Sequence, residues 1–290
     1  MPRQHLLPAL GLLTAATVWG IVWYPYRLLQ EAGLSGSLAS LVTYLVALVP
    51  VLILCGRDFL RQRDDRGWLV LVALATGWTN LAYVLAVIHG EIMRVLLLFY
   101  LAPLWTVFFS RLMLHERINH FGYLVMGLSL AGAYVMLARD GGLPLPTNFA
   151  EWMGLSAGLA FALANVLSRK LRAVATGVRS LWVFLGVVGI AALPVGFEGG
   201  ALDALAGLGP GHWLILILVG LMLVLATFAV QYGLAHTPAN QAIVILLSEL
   251  VIAAIASHLL AHEVMAAREW LGGALIVAAS LFSGRIHQHG

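Results

Sequence analysis

The sequence predicts an all-α polytopic membrane protein, with ten transmembrane helices arranged as two inverted five-helix repeats. Three observations carry that expectation: an apolar composition, ten apolar segments of spanning length, and a self-match of the chain at a register of 147 residues. Of 290 residues, 61% are hydrophobic and only 10% charged, with mean hydropathy +0.95. Soluble domains carry about a quarter charged residues, so this chain has too few polar side chains to cover a globule in water. The solvent that suits such a surface is lipid. A spanning helix needs roughly 20 apolar residues, and cutting the chain at its charge, Gly and Pro clusters yields ten such segments.

The first segment, near 6–29, follows Arg3 and faintly imitates a signal peptide, but its apolar run outlasts one and reads as a retained span. Polar residues 30–36 separate it from the second, 36–55, which closes on the Arg-rich stretch 57–66. Segments 68–89, 92–113 and 119–138 complete the first half. Residues 141–148, with Pro144 and Pro146, form the widest break and divide the chain into repeats at 1–141 and 146–290. The second half supplies 150–170, 180–197, 212–235, 239–260 and 267–284, interrupted by a polar break at 198–211.

Charge orients these spans. With the N-terminus in the cytoplasm, only Arg27, Arg94, Arg139 and Arg268 of the 16 Lys and Arg residues fall on the outer side. The other 12 (16 less 4) fall inside, among them Arg57, Arg61, Arg63, Arg66, Arg169 and Lys170. That bias predicts a multi-pass protein of the cell inner membrane with both termini cytoplasmic. The pI near 9.2 thus reflects orientation in a membrane and gives no reason to expect nucleic-acid binding. A single cysteine, Cys55, excludes a disulfide framework and any multi-cysteine metal site.

The internal repeat is the strongest functional signal. At a register of 147, His89 falls on His236, Ser110 on Ser257, His115 on His262 and Glu116 on Glu263. At slightly smaller offsets, Trp19, Trp23, Tyr26 and Arg27 face Phe161, Asn165, Ser168 and Arg169. Chance accounts for one Leu or Ala match, but poorly for His and Glu recurring at a single offset. Five spans per half is an odd number, so the second half lies inverted relative to the first. Inverted repeats are typical of secondary transporters, whose substrate sites lie near the midplane between the halves.

The residues resemble the drug/metabolite transporter superfamily, specifically its ten-helix EamA-type members. The carrying stretch is Leu96–Pro103, then Leu112-Met113-Leu114-His115-Glu116-Arg117, with Gly127 and Gly132 following. A second copy runs Leu246-Leu247-Ser248-Glu249-Leu250, then His262-Glu263, Gly272 and Gly273. It departs from the first at Leu250, where Pro is usual, at Val264, which replaces Arg, and at Ala279, where Gly132 would fall. The aromatic-rich spans make the chain most similar to YddG-like amino-acid exporters. The resemblance implies alternating access, a small-molecule substrate, no cofactor, and a monomer or weak homodimer in the lipid bilayer. It also implies that spans 1, 3, 4, 6, 8 and 9 surround a central cavity.

The polar and aromatic faces of those spans supply the candidate residues. Span 1 carries Trp19, Trp23 and Tyr26 on one helical stripe, and span 3 carries Thr76, Asn80 and Tyr83 at the same spacing. Span 4 offers Tyr100 ahead of Pro103, then Trp105; span 6 offers Phe161, Asn165 and Ser168. Span 8 contributes Thr227, Phe228 and Gln231, and span 9 Ser248 and Glu249. The substrate set is therefore Trp19, Trp23, Thr76, Asn80, Tyr83, Tyr100, Phe161, Asn165, Phe228, Gln231, Ser248 and Glu249, with no catalytic and no metal residue. Lipid contact is the plainer role for aromatic residues at span ends, such as Trp68, Trp152, Trp213 and Trp270. Helix-to-helix hydrogen bonding is the plainer role for the amides.

Glu249 is the sharpest of these residues. An acidic residue near the midplane costs about 2.5–3.5 kcal/mol on insertion scales, so it should face a cavity or be protonated. There it can carry a proton or attract an amine; a neutral Glu bonded to a neighbouring helix is the plainer role. Glu91 and Arg94, one turn apart at the outer start of span 4, read as a local ion pair or gate. Glu116 and Glu263 tie loops to helix ends. Pro25, Pro50, Pro103 and Pro194 can kink their spans and free carbonyls at a cavity.

Two other classes compete poorly. For a membrane-embedded enzyme, His115-Glu116 with His120 is one residue too long for the H-E-x-x-H zinc motif, and no nucleophile elbow or phosphate loop is present. For a channel, no re-entrant selectivity segment is visible. The expected function is export of small metabolites, with neutral or aromatic amino acids as the leading substrates and efflux of cationic amines or drugs by proton exchange as the alternative.

Overall fold

The computed structural model describes residues 3–89, 95, 98–137, 146–197, 199–260 and 266–282. Every regular element among them is a helix. In order these are α1 (Arg3–Glu31), α2 (Gly36–Arg61), α3 (Arg66–His89), α4 (Ala102–Met113), α5 (His120–Leu137), α6 (Phe149–Lys170), α7 (Thr176–Phe197), α8 (Ala201–Ala206), α9 (Pro210–His236), α10 (Ala239–Leu246), α11 (Ser248–Leu260) and α12 (Ala267–Phe282). Among the described residues, seven stretches are long and apolar enough to cross a membrane, the seventh being α10 and α11 together; α5 and α12 contain shorter apolar runs. Helix is the form that lipid enforces, because it satisfies each backbone N–H and C=O within its own segment.

Local signals set the ends. Ser35 caps α2 by accepting from the Leu38 N–H at 3.1 Å. Asn148 caps α6, accepting from the Glu151 N–H at 3.0 Å. Glu151 reaches back to accept from the Thr147 N–H at 2.6 Å and from Asn148 Nδ2 at 3.0 Å, a capping arrangement displaced by one residue from the usual box. Two features differ from the sequence expectation. The polar break at 198–211 contains the short helix α8, because Ala201, Ala204 and Leu205 pack on an apolar patch around Leu29, Leu34 and Leu216. The ninth span is two helices, divided at Leu247.

Packing follows small residues. α3 lies against α6 and α7, α1 against α9, α2 against α7 and α9, and α5 against α12. Gly77 and Gly186 let α3 and α7 approach so closely that a Cβ on Gly186 would strike the Ala73 carbonyl. Such approach is how spanning helices gain packing energy where lipid supplies no hydrophobic drive. On the ten-span expectation, exchanging each segment for the one five later maps the α1/α9 pair onto the α6/α3 pair. It also maps the α3/α7 pair onto α9/α2, and leaves α2/α7 and α5/α12 unchanged. His89 and His236, 147 residues apart, make the same contact, each through Nδ1 to the carbonyl four residues back at 2.9 Å and 2.8 Å.

Outward faces are apolar. Leu52, Ile53, Leu54, Phe108, Leu124, Leu225 and Leu281 are all exposed, an arrangement that suits acyl chains and would aggregate in water. Trp68, Trp152, Trp213 and Trp270 are exposed at helix ends.

Candidate functional site

Two helices are interrupted inside the bundle, and the interruptions correspond. Helical turns at Leu98 and Phe99 give way at Tyr100 and Leu101 before α4 resumes. The ninth span gives way at Leu247, which is Tyr100 shifted by 147. Proline explains the first break: Pro103 has no N–H for the Phe99 carbonyl, and the chain tightens, with Leu101 N–H on Leu98 O and Leu104 N–H on Leu101 O. No proline stands at the second. There Leu250 N–H bonds Leu247 O, three residues back, and the Ser248 hydroxyl donates to Ile245 O at 2.7 Å.

Glycines hold both breaks. Gly158 of α6 receives the Phe99 carbonyl, where a Cβ would collide with it; Gly20 of α1 receives the Glu249 backbone carbonyl, 3.0 Å from where a Cβ would stand. Tyr100, Leu247 and Leu250 share one buried cluster, and the Tyr100 hydroxyl neighbours the Glu249 carboxyl, so the two interruptions meet.

An aromatic layer surrounds that meeting point. Phe99 is its hub, with ring centroids 5.6 Å from Tyr83, 5.4 Å from Tyr100 and 5.4 Å from Phe161. Trp19 joins through Phe161, edge-on at 6.1 Å. Of the predicted residues, Trp19, Tyr83, Tyr100, Phe161, Ser248 and Glu249 therefore gather at one level, from α1, α3, α6 and the two broken spans. Asn80, one turn from Tyr83, is half-buried and makes no hydrogen bond to a described residue. Asn165, one turn from Phe161, is buried and its Nδ2 has no partner among the described residues. Trp23 stacks edge-on with Tyr24 at 5.7 Å. Thr76 returns its hydroxyl to Val72 O at 2.8 Å within α3.

Two predicted residues stand elsewhere. Phe228 packs with α2 and α7 beside Cys55 and Phe59. Gln231 belongs to a buried polar cluster: its Oε1 accepts from Arg179 Nη1 at 3.1 Å, and its Nε2 donates to Ser168 Oγ at 3.2 Å. Arg179 also donates to Ser168 O, Val174 O and Thr176 Oγ1. Those acceptors are all neutral oxygens.

The same end of the bundle carries a second tie. His115 takes positive φ, 57°, which turns the chain after α4 so that Glu116 faces the helix ends. Glu116 pairs with Arg169 at 3.5 Å and accepts from the Ala239 N–H at 3.0 Å. Arg169 in turn donates to the Ala235 carbonyl. The ends of α4, α6, α9 and α10 are joined in this way, and Asn240 adds a bond to Ser110 at 2.9 Å. Glu91, Arg94 and Glu263 lie outside the described residues.

Sequence reasoning missed Phe99 and undervalued Trp105 and Arg179. Phe99 had a signal, standing four residues before Pro103. Arg179 had little: at the edge of an apolar segment it reads as one more orienting charge, yet it is 1% exposed.

An all-helical bundle with an apolar outer face and broken helices meeting at a carboxyl group defines a multi-pass membrane transporter. The chain belongs to the EamA-like transporter family, which it matches over residues 6–138 and again over 148–285. It is similar to an uncharacterized transporter of Archaeoglobus fulgidus, 29% identical over 81% of this chain and 82% of that one. Protein RarD of Streptomyces exfoliatus is 26% identical over 96% and 87% of the two chains. The uncharacterized transporter YojE of Bacillus subtilis is 23% identical over 82% and 81%. A crystal structure shares the fold at TM-score 0.77 and 18% identity, covering 97% of this chain and 99% of its own.

Proposed function

We propose that the protein exports small metabolites across the inner membrane by alternating access, using ten spans in two inverted repeats with both termini cytoplasmic. The two matches to one family, the packing pairs that survive a five-span exchange and the helix breaks at one register support that arrangement. The leading substrates are neutral or aromatic amino acids. One observation carries the reading: two interrupted helices meet through Tyr100 and Glu249 inside a layer built by Trp19, Phe99, Tyr83 and Phe161. Broken helices in transporters present polar backbone to a substrate, and the rings supply apolar and cation–π contacts to a side chain or an ammonium.

The carboxyl of Glu249 favours a second substrate class, cationic amines or drugs exchanged for protons. It can bind an ammonium or a proton but not both at once, which is the condition for exchange. On either reading the Glu116–Arg169 tie lies on the cytoplasmic side and must open for substrate to enter from the cell. Counterflow in proteoliposomes tests the function. Vesicles loaded with an unlabelled amino acid should take up the labelled compound saturably. Uptake only with loaded amines favours the second class, and no exchange of any class by folded protein would refute both.

A further inference from the structure

Two buried N–H donors in the bundle interior lack acceptors among the described residues: the Trp105 indole Nε1 and the Asn165 amide Nδ2. Buried donors are nearly always paired, because an unmade hydrogen bond costs about 1–3 kcal/mol. Their helices bring them to one level. The span containing α4 runs beside α6, with Val95 against Gly154 and Phe99 against Gly158, a register of 59; Ala102 and Ala162 share a cluster further along. Continued, that register sets Asn165 beside Thr106, the neighbour of Trp105. The Thr106 hydroxyl is committed to Ala102 O at 3.0 Å, leaving the two N–H groups as the open donors.

Electrostatics gives this level a sign. Asn165 stands one turn from Ser168 and Arg169, and Ser168 accepts from the Arg179 guanidinium. Among the described residues Arg179 meets only neutral oxygens, so its positive charge has no carboxylate to offset it. Glu249 lies within the aromatic layer, beside Tyr83 and Tyr100. Tyr100, its neighbour, precedes Trp105 by five residues, across the tightened break and the first turn of α4, a rise of about 8–10 Å at 1.5–2.0 Å per residue. The head of an α-amino acid, with one hydrogen bond of about 2.9 Å at each end, bridges such a distance.

We propose that Trp105 and Asn165 form the carboxylate-binding end of the substrate site, holding an α-amino acid whose ammonium is taken by Glu249 and Tyr100. This rests on the amino-acid reading above and narrows it to zwitterions. The test is phenylalanine counterflow, with phenethylamine and phenylalanine amide as competitors. Both competitors lack the free carboxylate and should compete at least about tenfold less well, the worth of one or two bonds to a charged group. Trp105→Phe, which keeps a ring and loses the N–H, should raise the half-saturating phenylalanine concentration about tenfold and leave amine competition unchanged. Asn165→Asp should repel phenylalanine and improve amine competition; Asn165→Ser replaces it if the acid does not fold, as judged by gel filtration. Equal losses for phenylalanine and amine, or no loss in Trp105→Phe and the Asn165 variant, would overturn the carboxylate site while leaving transport intact. Wild-type protein that exchanges no amino acid would instead overturn the amino-acid reading, and the carboxylate site with it.

Discussion

At the residue scale, Glu249 and Arg179 face the same penalty and meet it differently. Charge inside a bundle is tolerated when it is hydrogen-bonded or neutralised. Arg179 is enclosed by four neutral oxygens from the ends of α6, α7 and α9, which suits a fixed structural cation. Glu249 has Tyr100 as its side-chain neighbour and no ion pair among the described residues, at a break in its own helix, and such a carboxyl can change proton or ligand. Glu249→Gln keeps size and hydrogen bonding but removes the titration. It should abolish the pH dependence of exchange while the protein stays folded, which counterflow across a pH series would measure. Unchanged pH dependence would exclude Glu249 as the coupling group.

At the scale of elements, the broken helices depend on small residues in their neighbours. Gly158 admits the Phe99 carbonyl, so any larger side chain must push the first break away from α6. Gly158→Leu should lower the melting temperature and remove exchange, whereas the same change at Gly199, which has open space around it, should do neither. Thermal melting in detergent beside counterflow checks both. The Glu116–Arg169 pair, with both side chains 14% exposed, holds four helix ends together, and removing one partner leaves the other a poorly compensated charge. Arg169→Ala should increase labelling of a cysteine placed at Ser110 by a membrane-impermeant maleimide applied from the Arg-rich side, in a Cys55→Ser background. Labelling as slow as in the parent would show that the tie does not close this end.

At the scale of the whole molecule, the orientation is open to a direct check. Fluorescent-protein fusions at either terminus should fluoresce and alkaline-phosphatase fusions should be inactive, because the proposed ten-span topology puts twelve of the sixteen basic residues on the termini's side. The opposite pattern would invert the molecule and place the Glu116 tie outside.

How much of this was legible follows from which forces act locally. Helix type, span boundaries and the aromatic stripes of α1 and α6 follow from hydropathy and periodicity, which depend on near neighbours in sequence. The first helix break was legible at Pro103, and Glu249 stood out because charge in an apolar run has few explanations. Gln231 and Phe228 read as cavity residues, yet Gln231 is engaged by Arg179 and Ser168 and Phe228 packs beside Cys55. Both sit on α9 at plausible spacing, and only the angle at which α9 meets α2, α6 and α7 decides what they face.

The sequence by itself determined the helical class, the membrane-suited composition and the transporter family, because lipid imposes composition and backbone satisfaction on every span. Tertiary structure decided what composition cannot encode: that the second break occurs without a proline, that Phe99 is the aromatic hub, and that Arg179 is buried among neutral oxygens. It also left Trp105 and Asn165 as donors with no acceptor among the described residues. Those facts depend on helix rotation and depth, and rotation and depth are set by glycine contacts and hydrogen bonds between residues far apart in the chain.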